Sequence, residues 1–314
     1  MNIRIVAVAF AVIASSAAAR QDTTLRYRWT QGDVLVYKTT LKTSSTVSGM
    51  PGMGDASFDQ TMTQRIRLLA AAVAPDGSVT LHQTTEAVSV EMGGPMGKVS
   101  YDSADPQSAE KDEAAAALGK VFGGIVGSTI SVTMAANGAI LRIDGVQKVY
   151  DKIAQNLPQD RTGAPVARGL KSVLSDEAVR ASLEQSFPRM PPQAVKTGDT
   201  WTGQIALGSE VVGRIGGAQT FTLKSLDGNR ATIAVALTLK QESAPPIGPA
   251  GMTMKMGESK GDGQIEFDAA AGRIRKSTMK TEMPSTMTTV GPDGRPAEMR
   301  NTTKTSMTME LVEK

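Results

Sequence analysis

The chain has 314 residues, no cysteine and one histidine, and its 34 basic and 31 acidic residues leave a formal charge of +3. The lack of cysteine excludes disulfides and thiolate chemistry, and a single histidine excludes a metal site built on two imidazoles. The small charge excess is scattered along the chain, so the basic stripe typical of nucleic-acid binding is missing.

The first nineteen residues have the pattern of a secretory signal peptide. Arg4 provides the positive start, Ile5 to Ile13 an apolar run, and Ala17-Ala18-Ala19 a small-residue cleavage site. A bilayer span needs about 20 apolar residues, so this run is too short to cross a membrane. We therefore expect an exported protein, periplasmic or extracellular, with no transmembrane segment and a mature chain that begins near Arg20.

A first β-rich half is predicted over residues 20–143. Alternating residues rich in Thr and Val indicate strands, and a long hairpin is expected to turn at Asp76-Gly77. A shorter hairpin follows at Asn137-Gly138, since Asn-Gly and Asp-Gly pairs tolerate the positive φ of tight turns. An Ala-rich stretch at about 106–126 predicts a helical insertion within this half.

A helical block is predicted over residues 144–192. Asp144 is expected to cap its first helix, because it precedes an amphipathic pattern with Gln147 at the capping-box position. Closely spaced prolines near residue 190 end the block. The strand pattern then returns, and residues 193–314 form a second β-rich half.

The second half repeats landmarks of the first half in the same order. The recurring pairs are Gly32-Asp33 with Gly198-Asp199, Asp76-Gly77 with Asp227-Gly228, and Asn137-Gly138 with Ala271-Gly272. Such turns recur by chance in β proteins, but three in the same order favour internal duplication. The predicted class is α+β, mainly antiparallel β. Two related curved half-sheets would form an open barrel or paired β domains, with the helical block between them.

The residues at the start of each half are interpreted as structural. Gly32, Asp33, Gly198 and Asp199 are expected to turn the chain into the strand that follows. Trp201, directly after the second turn, is expected to be a packing anchor, as is Trp29 before the first.

Candidates for catalysis are few. His82 lies in an alternating strand, out of phase with Leu81, and is expected to face solvent. The acidic residues at 102–113 could form a hydrolase acid/base pair or bind a cation. The alternative is that they stabilise the positive N-terminus of a helix. This cluster consists of Asp102, Asp105, Glu110, Asp112 and Glu113. We expect no catalytic residues, and therefore a protein that is not an enzyme.

The methionines are the unusual feature of the chain. In an extended segment, alternate residues share a face, so Met252, Met254 and Met256 would place their thioethers on one face. Thioethers suit Cu(I), whereas pliable Met surfaces also suit apolar ligands or protein partners, and Met also simply fills gaps. The candidate ligand-binding residues are Met50, Met53, Met92, Met96, Met252, Met254 and Met256.

The run from Pro192 to Trp201 reads Pro-x-x-x-Val-x-x-Gly-Asp-Thr-Trp. With the signal peptide, the early Gly-Asp turn and the central helices, it resembles a family of exported bacterial proteins known only as a domain of unknown function. Many members are lipoproteins. The resemblance implies a β-rich fold and a bacterial periplasmic or cell-surface setting, and it brings no catalytic residues. This chain lacks the lipid-attachment cysteine.

The sequence thus favours an exported, non-enzymatic binding or carrier protein for an apolar ligand or a protein partner, with no cofactor. A concave sheet with helices or Met-rich loops over its mouth would provide the cavity. Two alternatives stay open: a periplasmic Cu(I)-binding protein that uses Met thioethers, and a hydrolase that uses the acidic cluster.

Overall fold

The computed structural model describes residues 22–49, 54–95, 97–157, 167, 169–171, 174–209, 213–243, 246–247, 252–290 and 296–312. The predicted signal peptide and the candidates Met50, Met53 and Met96 lie outside these ranges.

The strands of the described residues form one antiparallel sheet that does not close on itself. Along the sheet the order is β6-β5-β3-β2-β1-β14-β13-β12-β9-β8-β7, with β4 paired to β3, β11 to β13, and β10 to β11. The predicted class, α+β and mainly antiparallel β, is confirmed. The strands are β1 (Val34–Ser48), β2 (Ala56–Val73), β3 (Val79–Gly94), β4 (Gly97–Asp102), β5 (Thr129–Met134), β6 (Ile140–Asp144), β7 (Thr200–Ser209), β8 (Gly213–Asp227), β9 (Arg230–Ser243), β10 (Pro246–Ile247), β11 (Met252–Met256), β12 (Ser259–Asp268), β13 (Arg273–Val290) and β14 (Pro296–Leu311).

The two halves meet inside this sheet. The first strand of the chain, β1, pairs with the last, β14, from Tyr37 opposite Leu311 to Ser48 opposite Arg300. The halves are therefore parts of a single open sheet. They share one main apolar core, to which both Leu68 of the first half and Phe221 of the second half belong.

Three described α-helices and one 3-10 helix accompany the sheet. The α-helices are α1 (Glu113–Ile125), α2 (Val146–Ala154) and α3 (Asp176–Ser186), and the 3-10 helix spans Pro106–Glu110. The prediction that Asp144 caps the first helix of its block is wrong. Asp144 is the last residue of β6 and pairs with Arg142. The residue at the N-cap of α2 is Gly145, with φ of 96° and no side-chain cap.

The helix α3 bridges the two ends of the open sheet. It begins at a Ser175 cap, whose Oγ accepts a hydrogen bond from the Ala178 amide at 3.2 Å. It packs against both end strands, β6 and β7. Leu183 is buried in the main core, and so is Phe187 just beyond the end of the helix. One end of the sheet's apolar surface is therefore covered by α3.

The Gly-Asp elements that start the halves have the same hydrogen bonds. In the first, the Gly32 amide donates to the Ala70 carbonyl at 2.8 Å, and the Asp33 carbonyl accepts from the Ala70 amide at 2.9 Å. In the second, Gly198 and Asp199 make the same pair of bonds with Leu223, at 2.8 and 3.0 Å.

The aspartate side chains and the backbone angles also match. Asp33 Oδ2 accepts from the Thr30 amide at 2.8 Å, and Asp199 Oδ2 accepts from the Lys196 amide at 3.0 Å. Gly32 and Gly198 have φ of 90° and 98°, which favours glycine at both positions. The two Gly-Asp elements thus have the same backbone angle and the same side-chain bond, directly before β1 and β7.

Strand irregularities recur at matching places as well. The pairing of β2 with β3 shifts just after Ala70, and that of β8 with β9 just after Leu223. Further along, the shifts before the Gly138 and Gly272 turns place Met134 opposite Ile140 and Phe267 opposite Ile274. Shared bulges are devices of a fold and rarely recur in register without a common plan. The strands β1, β2, β3, β5 and β6 thus correspond to β7, β8, β9, β12 and β13.

Apolar and polar residues alternate along the strands, so the sheet has one apolar and one polar face. The apolar face contains the core and, on β1, the residues Tyr37 and Leu41. The polar face has Lys38 and Lys42 on the same strand. Because side chains point to opposite faces at successive residues, each long strand contributes to both faces.

Candidate functional site

A cavity of about 240 Å³ lies on the apolar face of the second half, beside the end of α3. Residues of β8, β9, β12, β13 and β14 line it, and Gln185 and Pro188 border it from the helical side. The lining residues are Gln185, Pro188, Gln219, Phe221, Val235, Leu237, Leu239, Ile265, Ser277, Met279, Thr281, Met283, Thr305 and Met307. None of these described residues is charged, so the cavity is apolar with a few neutral polar groups.

A glycine in β12 lies between two strands that line the cavity. Gly263 lies between Val235 of β9 and Met279 of β13, both of which line it. A Cβ atom at Gly263 would lie 2.2 Å from the backbone oxygen of Thr278. Glycine inside a strand often marks such a close approach. Glycine here lets β12 and β13 approach closely and leaves room for the Met279 sulfur, which lines the cavity.

Two buried polar side chains face the cavity. Gln219 on β8 is 7% exposed and Ser277 on β13 is 6% exposed. Both line the cavity, and neither is among the fully buried side-chain polar atoms without a partner, so their polar groups remain accessible from it. These two neutral groups are the polar side chains that a molecule in the cavity would meet on β8 and β13.

The tryptophan predicted as an anchor lies directly behind the cavity wall. Trp201 stacks on Phe221 with ring centroids 5.5 Å apart and planes inclined by 16°. Its Nε1 donates a hydrogen bond to the Arg189 carbonyl at 3.0 Å. Phe221 is held by this stack and forms part of the lining, so Trp201 fixes one wall of the site.

Two tyrosines close the core next to the site. The Tyr27 hydroxyl donates to the Pro188 carbonyl at 3.1 Å, and the Tyr37 hydroxyl donates to the Ile274 carbonyl at 2.9 Å. Burial raises the pKa of both hydroxyls, well above the ordinary tyrosine range for Tyr27. Both groups are therefore neutral hydrogen-bond donors, and they leave the surroundings of the cavity uncharged.

The methionine candidates divide between described and undescribed parts of the chain. Met92 is 39% exposed on β3, beside exposed Phe58 in a depression that faces α1. Met254 lies directly opposite Met287 of β13, which in turn lies opposite Met299 of β14. Three thioether side chains thus occupy neighbouring strands on one face, half-buried. Sequence reasoning found only Met254 of these three.

Met252 and Met256 are the other two candidates on β11. Met256 is half-buried and packs against the small apolar cluster of Ile215, Leu237 and Leu239. Met252 belongs to β11, and its side chain is outside the described part. Of the described candidates, Met256 lies nearest to the cavity, since Leu237 and Leu239 also line that space.

The acidic residues at 102–113 mostly have local structural partners. Asp112 Oδ1 accepts from the Ala115 amide at 2.7 Å and so caps α1. Asp105 Oδ1 accepts from the Gln107 amide at 3.1 Å, and Asp102 Oδ1 from the Ala104 amide at 2.9 Å. Within the described residues, no three His, Cys, Asp or Glu side chains are grouped to hold a metal ion. His82 is exposed, as its phase predicts.

A larger depression of about 830 Å³ crosses β12, β13, β14, β1 and β2. Its side chains include Lys42, Lys260, Lys280 and Lys304 together with three acidic residues. The ion pair of Lys304 with Glu282, at 3.8 Å, is exposed. Mixed, exposed charges of this kind are typical of a solvated surface, so the smaller uncharged cavity is the better candidate site.

Among the helices of the described residues, none is both long enough and apolar enough to cross a membrane.

Comparisons with known proteins give a family but no activity. A family model described as "Family of unknown function (DUF6263)" matches residues 76–274, which is more than half of the chain. This agrees with the predicted resemblance to a domain of unknown function. No curated protein matches the chain.

Solved structures show distant similarity only. Over 91% of its length the chain resembles 26% of a lipovitellin chain, from a structure of lipid-protein interactions, with 9% identity and a TM-score of 0.49. It thus spans about a quarter of that chain. It also resembles DynF of Micromonospora chersina, a protein of the dynemicin biosynthesis pathway, covering 90% of this chain and 83% of that one. The identity there is 9% and the TM-score 0.20. An outer membrane channel from Pseudomonas putida F1 gives 8% identity, coverage of 91% and 98%, and a TM-score of 0.26.

Proposed function

The chain belongs to the family of unknown function DUF6263, and we propose that it is a non-enzymatic binding or carrier protein for an apolar ligand. The observation that supports this most is the uncharged cavity between α3 and the apolar face of the second half. Protein interiors are close-packed, with few voids larger than a water molecule. A cavity lined by Phe221, Leu237 and Met279 is therefore best explained by a ligand.

The size of the cavity limits the ligand. Its volume of about 240 Å³ lies just below the range of roughly 300–1,000 Å³ for typical ligand pockets. A slender aliphatic chain fits this space better than a fused-ring molecule. Methionine at positions 279, 283 and 307 adapts its shape readily, so the lining suits chains that differ in length.

The test is to occlude the cavity and to measure what remains bound. Thr281 is half-buried in the lining, and Thr278 lies on the same strand but on the polar face. We expect Thr281→Phe to weaken binding of an aliphatic probe such as decane by about tenfold or more, or ~1.4 kcal/mol. The control Thr278→Phe is expected to bind as the wild type does.

Native mass spectrometry of protein purified from its own host shows directly what the wild type retains. A bound lipid-like molecule that Thr281→Phe loses would support the proposal. If the wild type retains nothing and takes up no decane, the proposal is wrong. A retained protein partner would instead favour the broader alternative that the apolar face binds a segment of another protein.

Export is part of the same proposal and rests on the signal-peptide pattern of residues 1–19. The expected mature N-terminus is close to Arg20. Edman sequencing or mass spectrometry of protein from the periplasm or the culture medium tests it. An intact N-terminus in protein recovered from the cytoplasm of the native host would contradict export.

A second candidate function, Cu(I) binding, is favoured by the row of Met254, Met287 and Met299. Directly opposite residues on neighbouring antiparallel strands have Cβ atoms about 4.5–5.5 Å apart, within reach of flexible thioethers that converge on one ion. Thioethers are soft ligands, which prefer Cu(I) to hard cations. This site lies beyond the cavity on the same face, so the two functions are separable.

Substitution of the central methionine tests this candidate. Met287→Leu preserves volume but removes the middle sulfur, and we expect it to weaken Cu(I) retention against a competing chelator under reducing conditions. Met309→Leu is the matched control, since Met309 is 3% exposed in the core of β14. Equal Cu(I) retention by both variants and the wild type would exclude the methionine row as a site.

A further inference from the structure

Gln219 occupies an unusual place in the second half. It lies on β8 in the apolar phase, two residues before Phe221, and opposite Gly203 of β7 and Leu237 of β9. It is 7% exposed, and its side chain has no hydrogen bond within the described residues although it borders the cavity. Within the described residues, the fully buried side-chain polar atoms that lack a partner are Trp29 Nε1 and Ser259 Oγ, so the Gln219 amide keeps access to the cavity.

The fold itself does not require an amide here. Gln219 lies four residues before Leu223, which makes the paired bonds with the second Gly-Asp turn. The corresponding residue of the first half, four before Ala70, is Ile66, and it packs against the main core. The equivalent strand position of the first half therefore holds an aliphatic residue, so the turn and the bulge that the two halves share do not demand an amide there.

The lack of charge among the described lining residues limits the kind of polar group that Gln219 can bind. None of the described lining residues is charged, and the other buried polar group is the hydroxyl of Ser277, 6% exposed. A carboxylate or phosphate held here would lose its hydration without gaining a counter-charge, which is strongly unfavourable. A neutral hydroxyl, ester or amide loses much less and gains the amide hydrogen bond.

We propose that the cavity selects a neutral amphipathic ligand, an aliphatic chain with one uncharged hydrogen-bonding group, and that Gln219 binds that group. This rests on the proposed function, namely that the cavity binds an apolar ligand at all. The ligand class comprises fatty alcohols, fatty esters and fatty amides, as opposed to free fatty acids at neutral pH and pure hydrocarbons.

Fluorescence of Trp201 provides the assay, because it stacks on Phe221 in the cavity wall. In a Trp29→Phe background, the full mature chain is titrated with decanol, decanoate at neutral pH, and decane. We expect decanol to bind more tightly than decanoate. We expect Gln219→Leu to weaken decanol binding by roughly two- to tenfold, the effect of one hydrogen bond, and to leave decane binding unchanged.

Two further measurements separate this role from a structural one. Gln64→Leu makes the same change on the same face but on β2, away from the cavity, and should leave all three affinities unchanged. Without ligand, Gln219→Leu should raise the melting temperature, because it places an apolar side chain of similar size at a largely buried position.

The outcomes distinguish the two proposals. If none of the three probes binds, the proposed function fails. If decane binds but decanoate binds as tightly as decanol, or if Gln219→Leu leaves decanol affinity unchanged, only the role of Gln219 and the ligand class are wrong. A lower melting temperature for ligand-free Gln219→Leu would likewise show that the amide supports the fold.

Discussion

The two β halves share a plan but differ in what fills their apolar face. In the first half, Tyr37, Ile66 and Ile130 provide large side chains around the core. At the corresponding places, counted from the shared turns and bulges, the second half has Gly203, Gln219 and Gly263. Three large residues are replaced by two glycines and an amide. The same strand arrangement therefore produces a filled core in one half and a cavity in the other.

This difference shows where binding capacity comes from in a repeated fold. The turns keep their geometry, since Gly32 and Gly198 make matching hydrogen bonds. The strands keep their register, and only a few side chains on one face change. If the halves are equivalent frameworks, perturbing shared positions should affect both alike, whereas perturbing the differing positions should affect one.

The largest effect is expected at the shared core position that precedes the Gly138 turn in the first half and the Gly272 turn in the second half. Phe267 and Met134 are both completely buried there. We expect Phe267→Ala to lower the free energy of unfolding by about 3–5 kcal/mol and Met134→Ala by about 2–5 kcal/mol, since each leaves a cavity. Urea denaturation measures both. A large loss in one variant and none in the other would show that the halves are unequal frameworks.

A smaller effect is expected at Gly263, where β12 and β13 approach closely beside the cavity. Gly263→Ala places a Cβ atom 2.2 Å from the Thr278 carbonyl oxygen, so the strands must separate locally. We expect a loss of about 1–3 kcal/mol in the free energy of unfolding. The control is Gly54→Ala, where an added Cβ meets no atom within 4 Å. If both variants are equally stable, the close approach of β12 and β13 does not require glycine.

The shared turns should give a smaller and matched pair of effects. Asp33→Ala and Asp199→Ala each remove one hydrogen bond from side chain to backbone. We expect each to lower the free energy of unfolding by about 0.5–1.5 kcal/mol. The values should agree with each other within the error of urea denaturation. Unequal values would mean that the two turns differ in energy despite their common geometry.

The smallest effect at neutral pH is expected for the buried tyrosines, which lack a counterpart in the second half. Burial raises the pKa of Tyr27 and Tyr37, so both keep their protons in the folded protein when unfolded tyrosine loses its own near pH 10. The folded state then binds more protons, and stability falls as the pH rises above about 10. Below that pH it should not depend on these groups.

Urea denaturation at a series of alkaline pH values tests this, with Tyr37→Phe for comparison. The variant loses the hydrogen bond to Ile274, and its stability should fall less steeply above pH 10. Parallel curves for the variant and the wild type would contradict the buried, protonated state of Tyr37.

Features that depend on neighbouring residues were predictable from the sequence. Asp76-Gly77 and Asn137-Gly138 turn as expected, because the positive φ of a tight turn is a local property. The correspondence of Gly32 with Gly198 was predictable for the same reason. Asp144 was assigned to a cap because it precedes a helical pattern, yet the bend needs a positive φ that Gly145 adopts more easily.

Features that depend on distant residues were not predictable. The row of Met254, Met287 and Met299 forms only once β11, β13 and β14 pair, so one methionine of three was identified. The role of Gly263 depends on its neighbour Val235 in another strand. The sequence did contain one unused signal, since Gln219 interrupts the apolar phase of Phe221 and Leu223.

The pairing of β1 with β14 constrains the order in which the protein folds. Tyr37 meets Leu311, almost the whole chain away, so this seam cannot form before the last strand is available. Until then the edge of β1 presents unpaired amides and carbonyls, which is a risk for association with other chains. Closure of such a long loop is also slow. We therefore expect the final strand to govern the folding rate and to determine how long the chain depends on protection from aggregation.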